Sequence, residues 1–335
     1  MATVKILVLM AEMGFGHKSA AEAIAAAAEA EFKDRCEVII ANPMSGKDAP
    51  AIFKRLQNDY DEAVQDAGSY ELLYQLGDTP LGGAALEGGL SLLLRNAVEK
   101  TIREHQPDVI ISVKEDYLAP LSALFELTGE KLPVMTVVTD LTTIHRMWFH
   151  SVADICVVPT KQAALLADRY GLPERVVRQI GVPVSPVLSQ EKRSKAELRD
   201  ELGWRKDRIT ALVVGSKRVR NLPDKLRGVN HSGLPLQLAL VSGGDDDLYR
   251  QFERTEWHLP THIYNYVENL PMMMHAADVI ISKAGGLIIS ETLAVGLPLL
   301  LADVIEGQET GNANFIVNAQ AGAITTTAID LLETL

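Results

Sequence analysis

The chain has 335 residues, more than one hydrophobic core usually organises, so two domains of roughly 150 residues are expected. Hydrophobic residues at 47% and charged residues at 23% are ordinary for a globular protein and exclude a disordered or fibrous chain. A formal net charge of -12 argues against a nucleic-acid partner, because neutralising phosphates needs a surplus of Lys and Arg on one face.

Residues 1–10 (MATVKILVLM) form a short apolar run with one Lys and no cleavage signature, so they read as a first strand and not as a leader. An Ala-rich helix follows from about 18 to 31, then strands at 36–40 (CEVII), 108–113 (DVIISV), 134–141 (VMTVVTDL) and 153–159 (ADICVVP). Residues 161–173 read as a helix stopped by Gly171 and Pro173. Between them, 45–95 is less regular and reads as surface helices and a loop. Strands alternating with helices predict parallel βαβ units.

Residues 181–195 (GVPVSPVLSQEKRSK) have the Pro, Ser and charge content of an exposed connection, dividing a first domain over 1–180 from a second over 196–335. There the pattern restarts, with strands at 209–215, 236–243, 262–267, 278–283 and 297–303. The fold class is therefore α/β with two Rossmann-like domains. Cys36 and Cys156 sit in or beside apolar runs and read as free thiols. No charge-free apolar stretch reaches about 18 residues, so membrane contact is expected to be peripheral and the protein cytoplasmic.

Three turns carry groups suited to chemistry. Gly14-Phe15-Gly16-His17 follows the first strand and opens a helix, where backbone amides and an imidazole suit an anionic or hydroxyl-bearing ligand; a structural turn capped by His17 is the alternative. A nicotinamide site is disfavoured, because the third glycine of the dinucleotide fingerprint and an acidic ribose partner are missing. After the strand at 134–141, Asp140, His145, Trp148 and His150 crowd one loop. Spacings of five do not match a helical metal-ligand pair, so no metal is expected. Ser282-Lys283-Ala284-Gly285-Gly286 ends a strand and opens a helix, the form of an anion cradle or of a plain strand-to-helix turn. Glu291, about a turn into that helix, is placed to accept from a ribose diol, and residues 306–314 are rich in amides and carboxylates that suit a polyhydroxyl ligand.

Taken in order, GFGH at 14–17, VVTDL...H..WFH at 137–150, VPT at 158–160, G.P at 181–183, SKAGG.....SE at 282–291, GLP at 296–298 and GQE.GNANF at 307–315 resemble the monogalactosyldiacylglycerol synthases and the bacterial processive diacylglycerol glucosyltransferases. The resemblance implies a GT-B fold, two facing Rossmann-like domains with an interdomain cleft. It further implies an inverting, metal-independent enzyme that moves galactose or glucose from a UDP-sugar to diacylglycerol or a related lipid. No cofactor is implied, since the UDP-sugar is a substrate. His17 would be the base, with Asp140 as orienting partner or rival. Gly14, Gly16, His145, Trp148 and His150 would lie on the acceptor side. Gly285 and Gly286 would face the diphosphate, Glu291 the ribose, and Gln308, Glu309 and Asn312 the donor sugar or its surroundings, with Lys283 also among the donor-binding residues. Gly215 and Ser216 stand where the family has a second glycine-rich donor loop; here Lys217 and Arg218 follow. The family pattern runs on past the position of Leu335 through helices that return to the N-terminal domain. Two other readings keep the fold: a non-glycerolipid acceptor, or a nucleotide-sugar-binding homologue without turnover.

Overall fold

The computed structural model describes residues 3–12, 15–46, 79–216, 219, 221–305 and 309–335. Gly14 and Gln308, the pair Lys217 and Arg218, and most of the irregular 45–95 stretch lie outside these described residues. The chain separates into two units, Met1–Ser185 and Pro186–Leu335.

The first unit runs β1 (Val4–Leu9), α1 (Phe15–Phe32), β2 (Cys36–Ala41), α2 (Pro80–His105), β3 (Val109–Ser112), α3 (Leu118–Thr128), β4 (Val134–Val137), β5 (Ile155–Val158), α4 (Lys161–Arg169) and β6 (Val177–Gln179). Its six strands are all parallel, in the order β2-β1-β3-β4-β5-β6. Successive residues of a strand point to opposite faces, and the core divides accordingly. Leu7, Leu9 and Ile110 pack on one face against Leu90, Leu94 and Val98 of α2 and Leu118, Leu121 and Leu124 of α3. Val8, Met10, Ile111 and Val113 pack on the other against Ala20 and Ala21 of α1, where small side chains let the helix approach closely. Both faces being covered explains why these strands read as unbroken apolar runs. The helix α2 forms in spite of Gly82, Gly83, Gly88 and Gly89, with Pro80 at its start and the Thr79 hydroxyl accepting from Gly82 N at 3.0 Å.

The second unit runs α5 (Val187–Gln190), α6 (Lys195–Leu202), β7 (Ile209–Val214), α7 (Leu222–Asn230), β8 (Leu236–Val241), α8 (Asp246–Arg254), β9 (Thr261–Tyr264), α9 (Leu270–Ala276), β10 (Val279–Lys283), α10 (Gly286–Val295), β11 (Leu299–Asp303), α11 (Thr310–Asn318), β12 (Gly322–Ile324) and α12 (Ala328–Thr334). Its parallel sheet has the order β12-β11-β10-β7-β8-β9, the doubly wound arrangement in which the strand order reverses between β7 and β10. Part of the 181–195 stretch is folded against this unit: Leu188 is buried and its carbonyl lies 2.8 Å from His275 Nε2.

Asp278 ties the start of β10 to α6. Its carboxylate accepts from Lys195 Nζ (2.7 Å), Arg199 Nη2 (2.5 Å) and the Thr210 amide (2.8 Å), while Arg199 also donates to the carbonyls of Ala276 and Arg208. Burial opposes ionisation of Asp278, but these donors hold its carboxyl below the usual range. Both cysteines are free, Cys156 buried with its thiol pushed up to about 12 by burial and Cys36 half-buried. Among the described residues no helix is long and apolar enough to cross a membrane.

Candidate active site

Ligands of open α/β sheets bind at the carboxyl ends of strands where the strand order reverses. In the second sheet that point lies between the turns that follow β7 and β10. These strands are paired, and Ser282 Oγ donates to Val214 O at 3.0 Å, so the two turns lie side by side. Gly215 is buried in the first turn, and a Cβ there would stand 2.6 Å from a Leu248 methyl, so this glycine serves close packing beneath the site. Ser216 follows it, half-buried.

At the second turn the pairing of β10 with β11 shifts register between Ser282 and Lys283, an irregularity that re-aims Lys283. Its ammonium forms an ion pair with Glu309, whose side chain is 5% exposed and whose other oxygen accepts from Ile305 N at 3.2 Å. The ammonium lies over the turn, 2.9 Å from where a Cβ on Gly285 would sit. Asn312 donates to Ala284 O at 3.1 Å, and its buried Oδ1 has no partner among the described residues. Lys283, Gly285, Glu309 and Asn312 are thus brought together from two segments, by an ion pair that spans 26 residues of chain and a hydrogen bond that spans 28.

Gly285 caps α10 and Gly286 begins it. Ile289 N reaches Gly285 O at 3.1 Å, the first bond of the helix ladder. The amides of Gly286, Leu287 and Ile288 therefore have no partner within the helix, and with the helix dipole they favour an anion. Further along, Glu291 is mostly buried, and it makes no hydrogen bond or ion pair among the described residues. Burial alone pushes its carboxyl up to about 7. A desolvated acceptor without a donor is a group prepared for a ligand that brings hydroxyls.

In the first sheet the order reverses between β1 and β3. Gly16 and His17 fall within the first turn of α1. His17 Nδ1 lies 2.8 Å from the carbonyl oxygen of Val113, which follows β3, and 3.4 Å from Thr139 Oγ1, beyond β4. A carbonyl only accepts, so Nδ1 carries the proton and Nε2 is the basic atom of the ring. The His17 and Trp148 rings have centroids 6.4 Å apart. Asp140, next to Thr139, is half-buried.

The remaining members of the 137–150 segment serve its local fold. His145 Nδ1 accepts from Met147 N at 3.4 Å and His150 Nδ1 from Val152 N at 3.1 Å, each capping a turn. Burial lowers the His150 pKa against the opposing pull of Glu87 and Glu126. Trp148 is wholly buried, its indole N–H without a partner among the described residues.

Sequence reasoning missed Lys114, Glu115 and Asp116, which follow Val113 at the same switch point. Lys114 Nζ pairs with Glu115 Oε1 at 2.6 Å and Asp116 Oδ2 at 3.0 Å, and its side chain is 8% exposed. Burial raises the Asp116 pKa, with Lys114 opposing. The available signal was three charges directly after an apolar strand, in SVKED.

Two doubly wound parallel sheets, one in each unit, define the GT-B class of fold. Solved structures of that architecture align over nearly the whole chain. MurG of Acinetobacter baumannii has a TM-score of 0.59 at 15% identity, over 99% of this chain and 89% of that one. The UDP-GlcNAc 2-epimerase of Neisseria meningitidis bound to UDP-GlcNAc has a TM-score of 0.61 at 10% identity, over 98% of this chain and 90% of that one. At such identities the likeness concerns the fold.

Residues 17–184 match the family model for monogalactosyldiacylglycerol (MGDG) synthase, and residues 210–334 that for the glycosyltransferase family 28 C-terminal domain. The chloroplastic MGDG synthase of Spinacia oleracea is 31% identical over 330 residues, 95% of this chain and 63% of the relative. MGDG synthase 3 of Arabidopsis thaliana is 30% identical over 330 residues, 96% of this chain and 71% of the relative. The chain belongs to the monogalactosyldiacylglycerol synthase family. It spans 63% and 61% of the length of the spinach and Nicotiana tabacum proteins.

Proposed function

We propose that the protein transfers a hexosyl group, galactose or glucose, from a UDP-sugar to the free hydroxyl of diacylglycerol or a related lipid, with inversion at the anomeric carbon. The observation that carries this reading is the turn from β10 into α10. Three helix-start amides offer partial positive charge for a diphosphate, next to the Lys283 ammonium in its pair with Glu309 and a buried, partnerless Glu291 suited to a ribose diol. Glu309 and Asn312, and Gln308 from the sequence motif, are assigned to the sugar end of the donor. Structures of this fold hold such ligands: the Anabaena protein HepE was solved with UDP and glucose, and the Neisseria meningitidis epimerase with UDP-GlcNAc.

In the proposed reaction Nε2 of His17 takes the proton of the lipid hydroxyl as its oxygen bonds to the anomeric carbon. The bond from that carbon to the β-phosphate oxygen breaks with its electron pair, and UDP departs into the fixed dipoles of the α10 start. These groups supply the charge stabilisation, so the reading includes no metal and no organic cofactor. Lipid names carried by the relatives support a lipid acceptor, and the reading puts the enzyme on a membrane surface as a peripheral protein.

The test is transfer of radiolabel from UDP-galactose and UDP-glucose to vesicles containing diacylglycerol, run beside calorimetry with UDP. Labelled glycolipid with the inverted anomeric configuration is the expected product. UDP binding without sugar transfer to any lipid would instead support a nucleotide-sugar-binding homologue without turnover.

A further inference from the structure

The irregular end of β10 frees a backbone carbonyl. Ile280 N donates to Pro298 O at 3.0 Å, and a regular parallel ladder, advancing two residues on each strand, would bring Ala284 N to Ala302 O. Instead Ser282 is matched with Leu301 and Lys283 with Asp303, so Ala302 stands opposite no residue of β10. Ala284 N donates to Asp303 O at 3.1 Å. Ala302 is fully buried, and a buried carbonyl that has lost its ladder donor is costly unless another donor takes it.

That donor comes from α7. Lys225 Nζ donates to Ala302 O, a contact that spans 77 residues of chain. Lys225 lies between Leu222 and Leu226, which are buried in the same core as Val213, Ile281 and Ala302, so the helix that carries it is seated against this sheet. Gly228, a turn further on, lets α12 pack closely along α7: a Cβ there would stand 3.3 Å from Ala328 O. Lys225 is itself half-buried, and among the described residues its ammonium has no carboxylate partner and no other acceptor. Two closures of the end of β10 therefore compete. In the regular one Ala284 bonds to Ala302; in the observed one Ala284 bonds to Asp303 and Lys225 to Ala302. They differ by one residue in register, which moves Asp303 and the segment leading to Glu309 against β10. The observed closure is the one in which Lys283 meets Glu309 over Gly285.

We propose that Lys225 is a positioning residue of the donor turn: by taking the Ala302 carbonyl it holds the shifted register of β10 and β11, and so aims Lys283 and the start of α10. It acts through the backbone and touches no substrate. This rests on the reading of that turn as the cradle of the nucleotide sugar.

The experiment compares Lys225→Met, which keeps the apolar stem and removes the donor, with the wild-type full chain. By nitrogen-15 NMR the Ala284 amide should exchange about tenfold faster in Lys225→Met, while Ile280, earlier in the same strand, stays within about twofold. The Kd for UDP by calorimetry, and KM for the UDP-sugar in the lipid-transfer assay, should each rise about tenfold with kcat within about twofold. Lys225→Arg, which keeps a charged donor of similar reach, should restore all three. Arg199→Met unsettles the opposite end of β10 and controls for general loss of stability; it should leave UDP affinity within about twofold. Unchanged Ala284 exchange in Lys225→Met overturns the proposal, as does unchanged UDP affinity, or an equal loss of affinity in Lys225→Met and Arg199→Met. If Lys225→Met fails to fold, the Lys225 ammonium signal of the wild-type chain decides: proton exchange slower than that of exposed lysines supports the contact, and equally fast exchange overturns it. Should the wild-type chain bind no UDP, the proposed function fails, while Ala284 exchange still decides whether Lys225 holds the register.

Discussion

Replacing Glu291 by Gln should stabilise the protein and weaken it as a nucleotide binder. The carboxyl titrates at about 7 when folded against 4.5 for the ordinary side chain, because it is buried without a partner. The folded state therefore holds the proton more tightly than the unfolded one, and stability falls as pH rises between 4.5 and about 7. Above that window the ionised group costs the full difference, about 3 kcal/mol at 1.36 kcal/mol for each pH unit. Gln removes the charge with nearly the same shape. Urea unfolding followed by tryptophan fluorescence should give matching midpoints for the two proteins near pH 4.5, with Glu291→Gln more stable by about 2 to 3 kcal/mol at pH 8. UDP should reverse the order: losing a charge-assisted acceptor for the ribose is worth about 1.5 to 3 kcal/mol, or about tenfold to a hundredfold in Kd by calorimetry. Parallel stability curves from pH 4.5 to 8 would refute the claim that Glu291 is buried without a partner, and unchanged UDP affinity would refute its role at the ribose.

Three further outcomes are expected. His17→Ala should reduce lipid glycosylation by about a hundredfold or more while leaving the calorimetric affinity for UDP within about twofold, since the proposed base and the proposed donor cradle belong to different units. Arg199→Met should lower stability by about 3 kcal/mol, read as a fall in thermal midpoint, because it strips three hydrogen bonds from a buried guanidinium site and leaves Asp278 with less compensation. Tyr117→Phe should cost about 1 to 3 kcal/mol in urea unfolding, since it leaves the Met10 carbonyl buried without this donor.

The long strands were legible because both faces of each sheet are covered by helices, so a central strand such as Leu236–Val241 is apolar throughout. Val177–Gln179 and Gly322–Ile324 were not, because a three-residue edge strand need bury little and carries no run to find. The helix expected from about residue 18 begins at Phe15, which puts Gly16 and His17 inside its first turn. At the candidate site, Lys283, Gly285 and Glu291 stood out because a strand that runs through small residues into a helix has a local signature. The partner that Glu309 finds in Lys283, and the burial that lifts the Glu291 carboxyl, have no such signature.

From the order of its residues alone, this protein was committed to two α/β units and to glycine-bearing turns at the ends of the first strand and of β10, since each of these is written in a window shorter than a helix. Only the tertiary structure decided which turns meet. The sheet order β2-β1-β3 sets Val113 beside His17 across 96 residues of chain, and no local pattern encodes which strand will lie next to which. Strand pairing is settled by the packing of whole helices over both faces, and the neighbours of a side chain such as His17 follow from that packing.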